Sequence, residues 1–289
     1  AQRILGALAQ RGQVLGRDLD RALDAGDGLD LQHAGRVDEV VRAVLDMRDV
    51  VQATAHEALD RDDGVLGIAH RLFLGDAYAI RPTLGWMEAD VLDPPYKMRA
   101  EGGGRYRKAR PHFDQIVEEQ LHRDFDLSII NPLQCGGAVV FASNDQLADL
   151  LVHLRGNFHR HAVLAWQKPN PQPIANKSYR SDLEFYVHAW RRGNHPIGTL
   201  AEKLRVTTTG APRGKARFGH PTPKPDILMS KILANVPGET ICDPFMGTGS
   251  TGVAAIRAGR IFTGIEHNPK HFETAVRRCT AAWQERAAA

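Results

Sequence analysis

The sequence predicts an α/β fold: a doubly wound, mostly parallel sheet with helices on both faces, preceded by a helical N-terminal extension. Three observations lead there. From Arg71 onward, short β-like runs alternate with helix-period patterns, the signature of a sheet built from crossover units. Two of those runs end in stiff turns, Asp93-Pro94-Pro95-Tyr96 and Asp243-Pro244-Phe245-Met246-Gly247-Thr248-Gly249. Residues 1–66 carry helical apolar stripes instead, with no strand pattern.

In the extension, Ile4, Leu5, Leu8, Leu15, Leu19 and Leu23 form one stripe, and Val37, Val40, Val41, Val44, Leu45 and Val51 form another, with Gly26-Asp27-Gly28 and Gly35 between them. A helical hairpin covering an edge of the main domain accounts for this, and a dimer or partner contact is the alternative. The main domain, 67–289, divides into a half carrying the first turn at about 67–190, a short segment at about 191–219 and a half carrying the second turn at about 220–289. Strands are expected near 71–75, 88–92, 137–142, 161–167, 183–190, 239–243 and 260–265. Helices are expected near 113–124, 145–155, 225–235, 249–258 and 270–284. Two cation-rich stretches, 97–111 with Gly102-Gly103-Gly104 and 194–219, read as loops.

At 289 residues, 43% hydrophobic and 25% charged, the chain has the composition of an ordinary globular protein, with one core plus an appendage. No apolar run reaches the roughly 18 residues a membrane span needs, and no signal pattern is visible. Cys135, Cys242 and Cys279 are scattered and odd in number, which suits a reducing cytoplasm and offers neither disulfides nor a metal site. Residues 1–66 hold 13 acidic and 8 basic residues, so a net +3 chain has a body of about +8, consistent with a polyanionic partner.

The second motif is a strand, a glycine turn and a helix start, where the backbone can approach a ligand closely. Ile261-Phe262-Thr263-Gly264-Ile265-Glu266 follows as a strand ending in an acid that can accept both hydroxyls of a ribose, the alternative being a plain carboxylate at a strand end. No GxxxxGK[ST] sequence is present, and the turn carries Asp243 where a phosphate site would carry a cation. A nucleoside bearing an amino-acid cation fits better than a pyrophosphate.

The first motif suits a planar, amino-bearing base. A DPPY tetrapeptide should arise by chance in roughly one chain in a thousand of this length. An exocyclic amine is a poor nucleophile because its lone pair is delocalised into the ring. Asp93 and the Pro94 carbonyl can each accept one of its N–H groups, which favours a pyramidal nitrogen. Pro94 and Pro95 stiffen the turn, and Tyr96 offers a flat face for stacking worth ~1–3 kcal/mol. The absence of a Pro-Cys dipeptide argues against covalent attack at cytosine C5.

Together these motifs resemble the amino-methyltransferases that methylate adenine N6 or cytosine N4 in DNA with S-adenosyl-L-methionine. With the base motif preceding the cofactor motif, the chain is similar to that family's circularly permuted β group. The resemblance covers about residues 70–285 and implies a Rossmann-like methyltransferase domain of the restriction-modification kind. It implies that Asp93, Pro94, Pro95 and Tyr96 form the catalytic turn. It implies cofactor contacts from Phe245, Gly247, Gly249 and Glu266, with Asp243 near the methionyl ammonium or holding the loop. Asp76 of Gly75-Asp76 resembles the acid that meets the cofactor's adenine amine, although a bare Gly-Asp pair is common. His220-Pro221-Thr222-Pro223-Lys224-Pro225 resembles the His-Pro-Thr-Gln-Lys-Pro segment, with Pro223 in place of Gln. Thr222 and Lys224 would then face the methionyl end, the alternative being a Pro-rich helix entry.

Trp166-Gln167-Lys168-Pro169-Asn170-Pro171 resembles the family's Trp-x-Lys-x-Asn-Pro loop, placing Lys168 and Asn170 by the flipped nucleotide unless it is a surface loop with a packed Trp166. Arg105, Arg107 and Lys108, with Arg213, Lys215 and Arg217, are the cations offered to duplex DNA phosphates; solvated charged loops are the competing reading. So short a recognition segment implies a short target, relaxed specificity or help from a second copy of the chain. Asp rather than Ser at position 93 favours adenine over cytosine N4. An RNA or small-amine substrate and a catalytically silent DNA-binding subunit are the rival functions.

Overall fold

The computed structural model describes residues 70–96, 125–171, 179–212 and 223–288. The expected N-terminal extension and the helix near 113–124 lie outside them, as do Thr222, Arg105, Arg107, Lys108, Arg213, Lys215 and Arg217. Eight strands form one sheet: β1 (Arg71–Leu74), β2 (Met87–Leu92), β3 (Cys135–Ala142), β4 (Arg160–Gln167), β5 (Leu183–Trp190), β6 (Val206–Thr208), β7 (Thr240–Asp243) and β8 (Ile261–Glu266). The helices are α1 (Ala77–Ile80), α2 (Asn144–Asn157), α3 (Asp226–Asn235), α4 (Ser250–Arg257) and α5 (Pro269–Ala287).

The strand order is β1-β8-β7-β2-β3-β5-β4-β6. The first five are parallel, β5 runs antiparallel to both β3 and β4, and β6 returns parallel to β4. Buried on both faces, β3 reads CGGAVVFA without a polar position, as a central strand must. Alternation along each strand divides the core into two layers. Val91, Val139, Ile241 and Phe262 pack with Leu228, Ile232, Val253 and Ala275 from α3, α4 and α5. Leu92, Val140 and Ile265 pack with Leu150 and Leu154 of α2 on the other face.

Chain order reverses between β2 and β7. From β2 the chain moves to β3, and from β7 it moves the other way to β8. In doubly wound sheets such a switch point opens a crevice beyond the carboxyl ends of the strands. Here β2 and β7 are direct neighbours, with Ala89 opposite Ile241 and Asp90 opposite Cys242. The two motifs, 150 residues apart, therefore emerge side by side.

The sheet differs from the sequence reading at β6, which lies within a stretch read as loop. Three residues are too few for a periodic signal. Lys231 of α3 secures the segment by donating to the carbonyls of Leu204 and Val206 and to Thr207 Oγ1. Among the described residues, no helix is long and apolar enough to cross a membrane.

Candidate active site

One edge of the sheet gathers the motifs. The carboxyl ends of β1, β2, β7 and β8 deliver Asp76, Asp93, Asp243 and Glu266. Being antiparallel, β5 brings its beginning to that same edge, so Glu184 arrives from Leu183–Trp190 next to the end of β4, where it pairs with Trp166. A cleft there is lined by Gly75, Asp76, Tyr78, Asp93, Pro94, Pro95, Tyr96, Lys224, Asp243, Phe245, Gly247 and Glu266.

In the base half, Asp93 uses both oxygens. Its Oδ1 accepts from the Tyr96 hydroxyl at 3.0 Å and its Oδ2 from Lys224 Nζ at 2.6 Å. Gln146 ties this turn to the fold. It sits at the third position of α2, closes a capping box with Ser143, and donates from Nε2 to the Pro95 carbonyl at 3.0 Å. Lys224 is buried, with Phe141 and Tyr96 rings 4.7 and 5.3 Å from Nζ. Its second carboxylate is Glu184, whose Oε2 stands 3.5 Å from Nζ. Lys168 holds the other oxygen of Glu184 by a short ion pair and lies over the Trp166 ring. A chain of alternating charges thus runs Lys168, Glu184, Lys224, Asp93.

Charge states follow from these pairings. Burial raises the pKa of the Asp93 carboxyl, Lys224 pulls against it, and the net shift is upward. Burial raises that of Glu184 as well, but Lys224 and Lys168 together outweigh it and hold it below the usual carboxylate range. Burial weakens the Lys224 ammonium, yet Asp93 and Glu184 more than compensate and keep it protonated. Tyr96 is pushed well above its ordinary value by burial and by both carboxylates, so it stays a hydroxyl donor.

The cofactor half is built from backbone. Gly247 has φ +54 and donates its N–H to Glu266 Oε2 at 2.8 Å, while Asn268 donates to Oε1 at 2.7 Å. Asp243 accepts from the Phe245 N–H at 3.0 Å, and burial pushes its carboxyl up to about 7. Asp76 caps α1 by accepting from the Tyr78 N–H. Phe245 packs edge-on against Tyr78 and Phe125. Gly249 has φ +83 but does not line the cleft; a Cβ there would lie 3.1 Å from Ala275 of α5. Its glycine serves the turn and close helix packing.

Asp93, Pro94, Pro95, Tyr96, Lys224, Asp76, Asp243, Phe245, Gly247 and Glu266 therefore share one cleft; Lys168 and Glu184 do not line it and are linked to it through Lys224. Asn170 is not among the lining residues. The Lys224 ammonium is engaged by two carboxylates of the base half rather than presented to the glycine turn. Glu184 and Gln146 escape the sequence reading, although Ser143-x-x-Gln146 is a capping-box pattern that marks a helix start. A lone acid inside the apolar strand Leu183-Glu184-Phe185-Tyr186-Val187 is the one signal that points to the first. Among the described residues, no cluster of His, Cys, Asp or Glu could hold a metal ion.

Similarity to known proteins follows the same outline. A type II methyltransferase of Streptococcus pneumoniae, M2.DpnII, is 31% identical over 140 residues, covering 41% of this chain and 50% of that protein. The DNA adenine methyltransferase YhdJ of Escherichia coli (strain K12) is 42% identical over 65 residues, 22% of each. The chain thus spans half or less of the length of these relatives. The M1.HpyAVI–SAM complex shares the fold at 24% identity, with a TM-score of 0.54 over 73% of this chain and 98% of that one. The cytosine-N4-specific PvuII DNA methyltransferase does so at 13% identity, with a TM-score of 0.51 over 75% and 92%. A model for NAD-specific glutamate dehydrogenase matches residues 1–83, under half of the chain, and within that span β1 pairs with β8 in the sheet described above. The N6_N4_Mtase model, described as DNA methylase, matches residues 89–277, well over half of the chain and both motif-bearing strands. The chain belongs to this DNA methylase family.

Proposed function

We propose that the chain methylates the N6 amine of adenine in duplex DNA by direct transfer from S-adenosyl-L-methionine to a base turned out of the helix. The observation that carries this reading is the junction of β2 and β7: the Asp93–Tyr96 turn and the Asp243–Gly247 turn open side by side into one cleft.

The cleft's donors and acceptors fit that cofactor. Asp76, Asp243 and Glu266 offer carboxylates to an amine, an ammonium and ribose hydroxyls, and Phe245 offers an aromatic wall. S-Adenosyl-L-methionine, when bound, supplies a methyl group on a positively charged sulfur. The chain's own residues do the rest. Tyr96 stacks on the extruded base and helps offset the few kcal/mol that extrusion costs. Asp93 and the Pro94 carbonyl accept the two amine hydrogens, which turns the nitrogen lone pair out of conjugation and toward the methyl carbon. As the N–C bond forms, the C–S bond breaks and its electron pair stays on sulfur. The amine must then lose one proton, and Asp93, its pKa raised by burial, is placed to take it.

Three features support adenine: Asp at position 93, the adenine specificity named for YhdJ, and the larger purine face for Tyr96 to cover. The cytosine-N4 specificity named for the PvuII enzyme marks the alternative. Labelled methyl transfer to varied duplex DNA, followed by digestion and mass spectrometry, tests both. N6-methyladenine is the expected product. A dominant N4-methylcytosine removes the adenine assignment and keeps the chemistry; no modified nucleoside removes the DNA methyltransferase reading.

A further inference from the structure

Asp93 presents a difficulty for the proposed methyl transfer, and the role assigned below to Glu184 rests on that reaction. The carboxylate that should receive the target amine is already engaged at both oxygens, and Oδ2 is clamped by a buried ammonium at 2.6 Å. An ammonium on Oδ2 takes up part of the carboxylate's acceptor capacity, crowds the approach of the amine and lowers the carboxylate's capacity to accept a proton.

A second observation resolves it. Glu184 Oε2 is buried and has no well-formed hydrogen bond among the described residues, only its ion pair with Lys224, an under-satisfied state that folded proteins rarely leave without use. It stands 3.5 Å from Lys224 Nζ, a looser ion pair than the 2.6 Å contact of the same ammonium with Asp93, and its sister oxygen is fixed by Lys168. The ammonium needs only a small displacement to exchange a bond with Asp93 for one with Glu184. The Phe141 and Tyr96 rings lie against it in its present position, and a flexible four-carbon stem permits the movement.

We propose that Glu184 is a positioning residue that draws the Lys224 ammonium off Asp93 when the target amine enters, so that one cation serves two carboxylates in turn. Before the base arrives, Lys224 keeps Asp93 ionised and in place. Once the ammonium has moved, Asp93 is free to accept the amine and then its proton. Glu184 stays ionised throughout because Lys168 remains on its other oxygen. Among the described residues, the charged or titratable groups facing Asp93 are Lys224 from the segment before α3, Glu184 from β5, Tyr96 from its own turn and Asp243 from β7.

Two variants separate this device from a merely structural contact, because they shift Asp93 in opposite directions. Glu184→Gln removes both the repulsion and the alternative seat, leaving Lys224 on Asp93. The Asp93 pKa should fall, and the acid limb of kcat should move to lower pH. Lys224→Gln removes the cation, so both should move upward. In Glu184→Gln, kcat should drop by on the order of tenfold, since a base held out of action forfeits part of the 10²–10⁴ that such groups supply, while cofactor affinity holds. Glu184→Asp keeps the charge and should bring the acid limb back toward wild type. In a Lys224→Gln background, Glu184→Gln should cost little more, because the residue acts through Lys224.

Carboxyl ¹³C NMR titration of Asp93 in the free protein reads the same sharing without any turnover. Wild-type kcat and an unshifted Asp93 titration in Glu184→Gln, or equal losses from that change in both backgrounds, overturn the proposal. A wild-type chain that methylates no DNA overturns the methyltransferase reading instead, and the opposed NMR shifts would then still report the shared ammonium.

Discussion

The two halves of the cleft are built by different means. Around the glycine turn, the groups that shape the cleft are backbone N–H donors and fixed conformations: Gly247 and Asn268 hold Glu266, the Phe245 N–H holds Asp243, and Gly249 keeps a positive φ against α5. Around Asp93 the work falls to side chains, with Lys168, Glu184, Lys224 and Tyr96 linked by charge. A backbone-built site is rigid and binds one ligand in one pose. A side-chain network can redistribute its bonds when a second ligand enters, which is what a site must do if its substrate arrives after its cofactor. Substitutions in the first half should therefore act through conformation and affinity, and those in the second through turnover and pH.

The largest effect should come from Asp93→Ala. It removes the proposed acceptor of the amine and leaves the glycine turn intact, so kcat should fall by about 10²–10⁴, the range for a positioned general base. Calorimetric titration should give unchanged cofactor affinity. Turnover near wild type would take Asp93 out of its role, and lost cofactor binding would mean that the two halves are not separable.

Gly249→Val should behave in the opposite way. A branched residue at φ +83 is strained by ~1–3 kcal/mol, and its Cβ would press on Ala275 of α5 at 3.1 Å. The melting temperature should fall by several degrees, at roughly 2–4 °C per kcal/mol for a domain of this size. Cofactor binding should weaken as a consequence of the displaced turn. Normal melting with abolished binding would show instead that position 249 meets the ligand.

Sequence and structure part company at that residue for a physical reason. A glycine in a turn before a helix signals close approach, but the sequence does not say whether ligand or neighbouring helix approaches. That the two motifs serve one reaction was legible from their residues; that their strands β2 and β7 lie side by side is what the sheet adds. The central strands and α2 to α5 were legible from period. Glu184 was not, because its meaning lies in Lys224, forty residues on, and Lys168, sixteen before. Nor was β6, which is ordered by Lys231 rather than by its own pattern.

A smaller, graded effect should appear in cofactor binding. With its carboxyl raised to about 7 by burial, Asp243 is largely neutral below that pH in the free protein. If Asp243 meets the cofactor's ammonium as proposed, that cation favours the ionised form, and binding at lower pH must release a proton. Affinity should then rise with pH up to about 7 and fall by up to tenfold per unit below it, as linkage to one proton requires. Asp243→Asn should bind more weakly at neutral pH and show a flat profile. A wild-type affinity independent of pH between 5 and 8 would mean that Asp243 only holds the turn.

The smallest effect is expected from Lys168→Gln, and it bears most directly on where the charge network ends. Lys168 belongs to the loop whose resemblance implies contact with the flipped nucleotide, yet its ammonium is engaged by Glu184 and lies over Trp166. If its task is to hold Glu184, removing it lets that carboxylate turn wholly toward Lys224. The ammonium would then leave Asp93 too readily, so Asp93 would be less well held before the base arrives. The cost should be a few-fold in kcat, since Lys224 still fixes Glu184 and the pair is only partly buried. DNA affinity should keep its salt dependence. A phosphate contact would show itself differently: losing it should flatten the slope of log affinity against log salt by ~0.9. A flattened slope with unchanged kcat would place Lys168 on the DNA and end the network at Glu184. A lowered kcat with an unchanged slope would extend the side-chain-built half of the cleft as far as β4.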